Sequence, residues 1–123
     1  MKPNPVGWFE IYVDDMARAK AFYETVFQTT LEKLHSDAIE MWAFPMQPDL
    51  WGAAGSLVKM EGFSAGRNST LVYFSCDDCA VEQARAEKAG GQLQRGKFSI
   101  GQYGFIALVL DTEGNMIGLH SMK

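Results

Sequence analysis

Two stretches of this sequence say the same thing. Phe9-Glu10-Ile11-Tyr12-Val13-Asp14-Asp15-Met16-Ala17 and Val72-Tyr73-Phe74-Ser75-Cys76-Asp77-Asp78-Cys79-Ala80 both read as a strand, an Asp pair and the start of a helix. Asp14, Asp15, Ala17 and Ala21 meet Asp77, Asp78, Ala80 and Ala84 at one offset of 63 residues. The ends correspond as well, Gly52-Ala53-Ala54-Gly55-Ser56-Leu57-Val58 with Gly114-Asn115-Met116-Ile117-Gly118-Leu119-His120. A duplication leaves few folds open, because whatever one half builds the other must build too. The halves are residues 1–60 and 69–123, joined by a Gly-rich polar linker at 61–68.

Each half reads β-α-β-β-β. A carboxylate accepts from the orphan N–H groups of a first helical turn, so each Asp pair marks a helix start. Met16, Ala19, Phe22, Tyr23, Val26 and Phe27 then recur at helical spacing and predict an amphipathic helix. The second helix, about Cys79 to Ala89, has a thinner stripe (Ala80, Ala84) and stops at Gly90-Gly91. Strands are expected at about Thr29–Leu34, Ile39–Phe44 and Ala53–Met60, then at Gln92–Arg95, Phe105–Leu110 and Met116–Ser121. At 123 residues the whole is one α+β domain.

Alternation along a strand assigns faces. Phe9, Ile11 and Val13 should pack under the first helix, and Val72, Phe74 and Cys76 under the second. The opposite face then carries Trp8, Glu10, Tyr12, Ser56, Val58, Leu71, Tyr73, Ser75, Met116, Gly118 and His120. This aromatic-rich set with one carboxylate and one imidazole suits a ligand cavity, though a dimer interface would look similar. Trp42 joins the candidates with an unresolved parity. Gln102 and Tyr103 are candidate lid contacts in the flexible stretch Gly96–Gly104.

Composition removes several classes of function. A net charge of −4 with 11 scattered Lys and Arg residues gives no basic face for nucleic acid. No apolar run approaches the ~20 residues of a membrane span, and no secretory leader is evident, so a cytoplasmic protein is expected. Cys76 and Cys79 form a lone C-x-x-C, with no second pair to complete a zinc site. A redox dithiol would need a lowered thiol pKa, which Asp77 and Asp78 oppose. The plainer reading makes Cys76 a strand residue and Cys79 a helix-start residue. His35 follows the second strand in a polar stretch and reads as a surface residue.

Paired β-α-β-β-β halves, VDDMARAKAFYETVF after the first strand and DTEGNMIGLHS at the end resemble the vicinal-oxygen-chelate superfamily of glyoxalases, bleomycin-resistance proteins and extradiol dioxygenases. The resemblance runs from about Val6 to Met122. It implies eight strands in a cupped, barrel-like mixed sheet with helices outside. It also implies a divalent ion (zinc, nickel, cobalt, manganese or iron) in the metal-dependent members. The matching ligand positions here carry Trp8, Ser56, Leu71 and Gly118, none of them a His, Glu or Asp. No cofactor is therefore expected. The first reading is a metal-free protein binding a small apolar or aromatic molecule, and bleomycin-resistance-like chains commonly pair as homodimers.

The alternative is a glyoxalase-like lyase or a dioxygenase. It would use a relocated metal or Glu10 and His120 as an acid–base pair. In the plainest reading Glu10 hydrogen-bonds a neighbour such as Tyr73, and His120 sits partly solvated at the rim.

Overall fold

The structure, a computed structural model, describes residues 3–66 and 69–123. Arg67 and Asn68, the end of the expected linker, lie outside the described residues. Eight strands and two helices make an α+β chain with both parallel and antiparallel strand pairing. The chain divides into two compact units, Trp8–Thr70 and Leu71–Lys123, the second joined by the N-terminal residues up to Gly7.

In the first unit β1 (Val6–Tyr12) leads into helix α1 (Met16–Phe27), followed by β2 (Glu32–Leu34), β3 (Glu40–Ala43) and β4 (Ala54–Lys59). The spatial order is β2-β3-β4-β1. Strands β2, β3 and β4 are antiparallel neighbours, and β4 runs parallel to β1. The Asp pair divides its work. Asp15 caps α1, its carboxylate accepting from Arg18 N at 3.0 Å, while Asp14 accepts from Ala65 N at 3.0 Å and fastens the turn beyond β4. The helix ends on Gln28 in the left-handed region, φ 50°, whose N–H returns to the Glu24 carbonyl.

The core of this unit is Val13, Met16, Leu31 and Leu57, with Ile11, Ala19, Tyr23, Trp42 and Phe44 packed around it. Only part of the predicted helical stripe reaches it. Phe22, Val26 and Phe27 are more than half exposed. The stripe is wider than the strip of helix that contacts the sheet, so its flank and its last turn face outward.

The second unit repeats the plan with β5 (Thr70–Ser75), α2 (Cys79–Lys88), β6 (Gln92–Ser99), β7 (Phe105–Leu110) and β8 (Met116–Ser121), in the order β5-β8-β7-β6. Asp78 caps α2 and also receives Lys97 Nζ at 2.8 Å. Ser121 secures the same end of the helix, its Oγ accepting from Cys79 N at 3.0 Å. Cys79, Ala107, Val109 and Leu119 form the core, with Phe74, Cys76, Ala86, Phe105 and Ile117 against it.

Strand β6 runs to Ser99, so Gly96–Ser99, read from sequence as flexible loop, is strand. Its pairing with β7 slips between Leu93 and Arg95 and again between Arg95 and Phe98. Such bulges break the alternation by which a strand is recognised.

Both cysteines belong to the helix-side core. Burial pushes the Cys76 thiol up to about 11, the charge of Glu82 acting the same way, so it stays protonated at neutral pH. That is the reverse of what a redox thiol needs, and the plain structural reading of the pair holds. No helix among the described residues is long and apolar enough to cross a membrane.

Candidate functional site

Strand β1 presents its two faces as the alternation predicts. Ile11 and Val13 enter the core under α1, and Phe9 meets Phe44 with ring centroids 5.8 Å apart. Trp8, Glu10 and Tyr12 point the other way. Glu10 is almost wholly buried, and both of its carboxyl oxygens are engaged from its own strand. Tyr12 donates its hydroxyl to Oε1 at 2.8 Å, and Trp8 donates Nε1–H to Oε2 at 3.2 Å. Residues two apart on a strand share a face, which is why one carboxyl can be clasped from both sides along the chain. Phe63 stacks on Tyr12 at 5.4 Å.

The neighbouring strand supplies the second polar group. Glu10 is in register with Ser56 of β4, and Ser56 with Ala43 of β3, so the three share a face. Ser56 is fully buried, and its Oγ has no hydrogen-bond partner among the described residues. An unpaired buried hydroxyl costs about 1–3 kcal/mol, so such a group calls for a partner from outside the chain. The flanking residues, Ala43 and Val58, are apolar and buried. The result is a dry patch with a fixed carboxyl and one unused hydroxyl side by side.

Trp42 is not part of this patch. It is in register with Leu57, packs on the helix-side core, and has the Lys20 ammonium 4.5 Å above its ring. Its Nε1 donates to Glu40 at 3.1 Å. Sequence could not see this, because Met41, Trp42, Ala43 and Phe44 are apolar on both faces. Met41, Ala43 and Phe63 came to the Glu10 side unannounced, by register and by ring contact.

In the second unit Tyr73 and Leu71 are buried on β5. Tyr73 is in register with Gly118, and Ser75 with His120. The Tyr73 ring occupies the place a side chain at 118 would take, since a Cβ there would overlap Cδ1, Cε1 and Cγ. His120 Nε2 is 2.6 Å from the Tyr103 carbonyl. A carbonyl only accepts, so Nε2 carries the proton, and a neutral His120 keeps its lone pair on Nδ1. Tyr103 thus contributes its main chain to His120 while its side chain, like Gln102, is exposed on the turn Gly101–Tyr103. Glu10 and His120 stand in different compact units.

The four positions where the family resemblance places metal ligands carry an indole, a hydroxyl, an isobutyl group and no side chain. Divalent ions of this kind prefer imidazole and carboxylate. The space beside Gly118 is filled by Tyr73 rather than left for an ion. Among the described residues no three His, Cys, Asp or Glu side chains gather as an alternative. The residues present do not fit the family's metal.

Comparison with known proteins agrees with this architecture. A family model described as Glyoxalase/Bleomycin resistance protein/Dioxygenase superfamily matches residues 6–119. The sequence matches none of the curated proteins. Among solved structures, methylmalonyl-CoA epimerase from Mycobacterium tuberculosis aligns with a TM-score of 0.70 at 15% identity, covering 100% of this chain and 93% of that one. A hypothetical protein from Bacillus halodurans C-125 aligns at 0.72 and 12% identity, over 99% and 96% of the two chains. A variant of the Streptomyces coelicolor methylmalonyl-CoA epimerase, in complex with 2-nitronate-propionyl-CoA, aligns at 0.68 and 14%, over 98% of each chain. At such identities the likeness is one of fold. Since the family model spans nearly the whole chain, the protein belongs to the glyoxalase/bleomycin resistance protein/dioxygenase superfamily.

Proposed function

We propose that this chain binds a small, largely apolar or aromatic molecule on the sheet face that carries Glu10 and Ser56, without the metal of its superfamily. The observation that supports this most is the fully buried Ser56 hydroxyl with no partner among the described residues, in register with Glu10. Aromatic neighbours, Trp8 and Tyr12, supply flat contact surface, and both are held in place by the carboxyl they donate to. A rigid aromatic wall with one unsatisfied polar atom is the ordinary composition of a small-molecule site.

The test is a thermal-shift screen of a small-molecule collection, with hits followed by tryptophan fluorescence titration. Ligands that stabilise the protein, and lose about tenfold or more in affinity in Trp8→Ala or Ser56→Ala, support the reading. Hits indifferent to both substitutions would place binding elsewhere and overturn it. Elemental analysis of the purified protein accompanies the screen. A stoichiometric divalent metal would remove the metal-free part of the proposal.

A catalytic reading has one feature in its favour. The hydrogen bond to Tyr103 fixes the proton on His120 Nε2, leaving Nδ1 as the basic atom of a neutral ring. On this reading His120→Ala abolishes turnover of a bound ligand while preserving its affinity, and unchanged turnover in that variant would end it.

A further inference from the structure

Strand β4 carries Ser56, and the segment leading into it holds apolar side chains out in water. Pro45-Met46-Gln47-Pro48-Asp49-Leu50-Trp51-Gly52 lies between β3 and β4. Met46 and Leu50 are exposed, and Trp51 is 95% exposed. A ring so placed adds almost nothing to the packing of its unit, although an indole offers about 150–250 Å² that favours burial. One exposed apolar residue is ordinary, but three within one short loop make a patch that marks a contact yet to be made.

The loop is rooted at the open end of the Ser56 face. The Phe44 N–H closes its base by donating to the Gly55 carbonyl at 2.9 Å, and the next residue of the face, Ala54, is in register with Trp8. Along this face Glu10, Ser56 and Val58 are buried, and Phe63 stacks on Tyr12 at the far end. Trp8 and Ala54 are only half-buried. A molecule that reaches the Ser56 hydroxyl therefore enters past Trp8 and Ala54, at the root of the loop. The rim there is low, since Ala43 and Ala54 bring only methyl groups.

The chain is long enough to cover that entrance. Ala54 and Ser56 are two residues apart on one strand, about 7 Å. The three residues from Trp51 to Ala54 span up to about 10 Å. Gly52, next to Trp51, has φ 105°, and its side-chain side is open space. Pro45 and Pro48 restrict the backbone before it, and the Leu50 N–H donates to the Gln47 carbonyl at 3.1 Å, so the segment turns as one piece about the glycine.

From this we infer that residues 45–52 are a lid hinged at Gly52, and that closure lays Trp51 over a molecule held against Trp8 and Ser56. The inference rests on the proposed binding function and adds the route of entry and a third aromatic wall. The indole leaves water only by covering a ligand, so a filled site favours the closed lid and an empty one does not.

The experiment uses two neutral aromatic probes on the whole chain. Nile red brightens when shielded from water and is titrated by its own emission, and 2-naphthamide is read by thermal shift. Trp51→Ala is expected to melt with the unaltered protein, because the ring stands in water, yet to bind both probes about tenfold more weakly. Trp51→Phe, which keeps an aromatic lid, should stay within about threefold. The loss should appear as faster release of Nile red in stopped-flow dilution. Chymotrypsin supplies a readout that a plain contact residue would not move. It is expected to cut the free protein first after Leu50 and Trp51, and saturating 2-naphthamide should slow those cuts at least about tenfold, with casein as the control for the protease itself.

Probes that bind and respond to Trp8→Ala, while Trp51→Ala leaves affinity and release unchanged, would overturn the lid and leave the binding function standing. So would loop cleavage that a bound probe does not slow. If neither probe binds, or binding ignores both Trp8→Ala and Ser56→Ala, the binding function fails and the lid falls with it.

Discussion

The ring of Tyr73 lies against the bare Cα of Gly118, where any side chain would collide with it. The two residues are in register on the parallel strands β5 and β8. A position where metal-dependent relatives are expected to place a ligand is thus a glycine for a steric reason. The ring and the missing side chain form one packing unit, and each explains the other.

That unit predicts a coupled pair of substitutions. Gly118→Ala overpacks a buried site and is expected to cost about 1–3 kcal/mol. Tyr73→Ala is expected to cost about 3–5 kcal/mol by leaving a cavity. In the Tyr73→Ala background the cost of Gly118→Ala should largely vanish, since the alanine methyl then has room. Urea unfolding of the four proteins gives the coupling, and additive effects would show that the ring and the glycine are not one unit.

The carboxyl of Glu10 holds Trp8 and Tyr12 in place as much as it awaits a ligand. Glu10→Ala leaves the Trp8 N–H and the Tyr12 hydroxyl without that acceptor and is expected to destabilise the chain by about 2–3 kcal/mol. Glu10→Gln retains an acceptor oxygen and should cost less than half as much. Melting temperatures of the two variants check this, and equal losses would argue that charge rather than acceptance holds the three side chains together.

Acid should weaken the fold through three surface carboxylates. Lys97 and the Ala80 N–H hold Asp78 below the usual carboxylate range. The Asn115 backbone and side chain do the same for Asp111, and the Leu31 N–H and Lys20 for Glu24. A carboxyl whose folded pKa is depressed contributes stability above its unfolded pKa, and that contribution is lost as pH falls through the folded value. Stability is therefore expected to decline as pH drops below ~4, the range of unperturbed Asp and Glu. Asp78→Asn and Asp111→Asn should flatten that decline in a melting series from pH 7 to acid, which an unaltered slope would contradict.

Cysteine labelling gives an independent check on the core of the second unit. With its pKa raised to about 11 by burial, Cys76 has almost no thiolate at neutral pH, and Cys79 is fully buried. Neither thiol is expected to react with a disulfide reagent in the native protein, and both should react once it is unfolded in urea. Rapid native labelling, or a reversible Cys76–Cys79 disulfide, would restore the redox reading.

Parts of this structure were legible residue by residue. The face assignment of β1 held around Glu10, where Phe9 and Ile11 flank a polar residue, as did that of β8 around Ile117 and Leu119. The strand β6 beyond Arg95 was not legible, since two bulges and Gly96 destroy its period. Trp42 was not legible either, because Met41, Trp42, Ala43 and Phe44 are apolar in succession and set no alternation to mark an outside. The exposed Phe22, Val26 and Phe27 show the complementary failure. Their spacing announces an apolar stripe, but spacing does not say how much of the stripe a sheet will cover.

By itself the sequence determined the repeated β-α-β-β-β plan, the two helix starts at Asp15 and Asp78, and which residues of the long strands share a face. Those are local matters, set by dihedral preference, capping and period, and adjacent residues suffice to specify them. Tertiary structure alone decided that Ser56 stands opposite Glu10, that Trp42 faces the helix, and that Tyr73 covers Gly118. Each depends on register between strands far apart in the chain. One residue of slippage would turn every side chain to the other face, and burial of the whole set decides between the two registers.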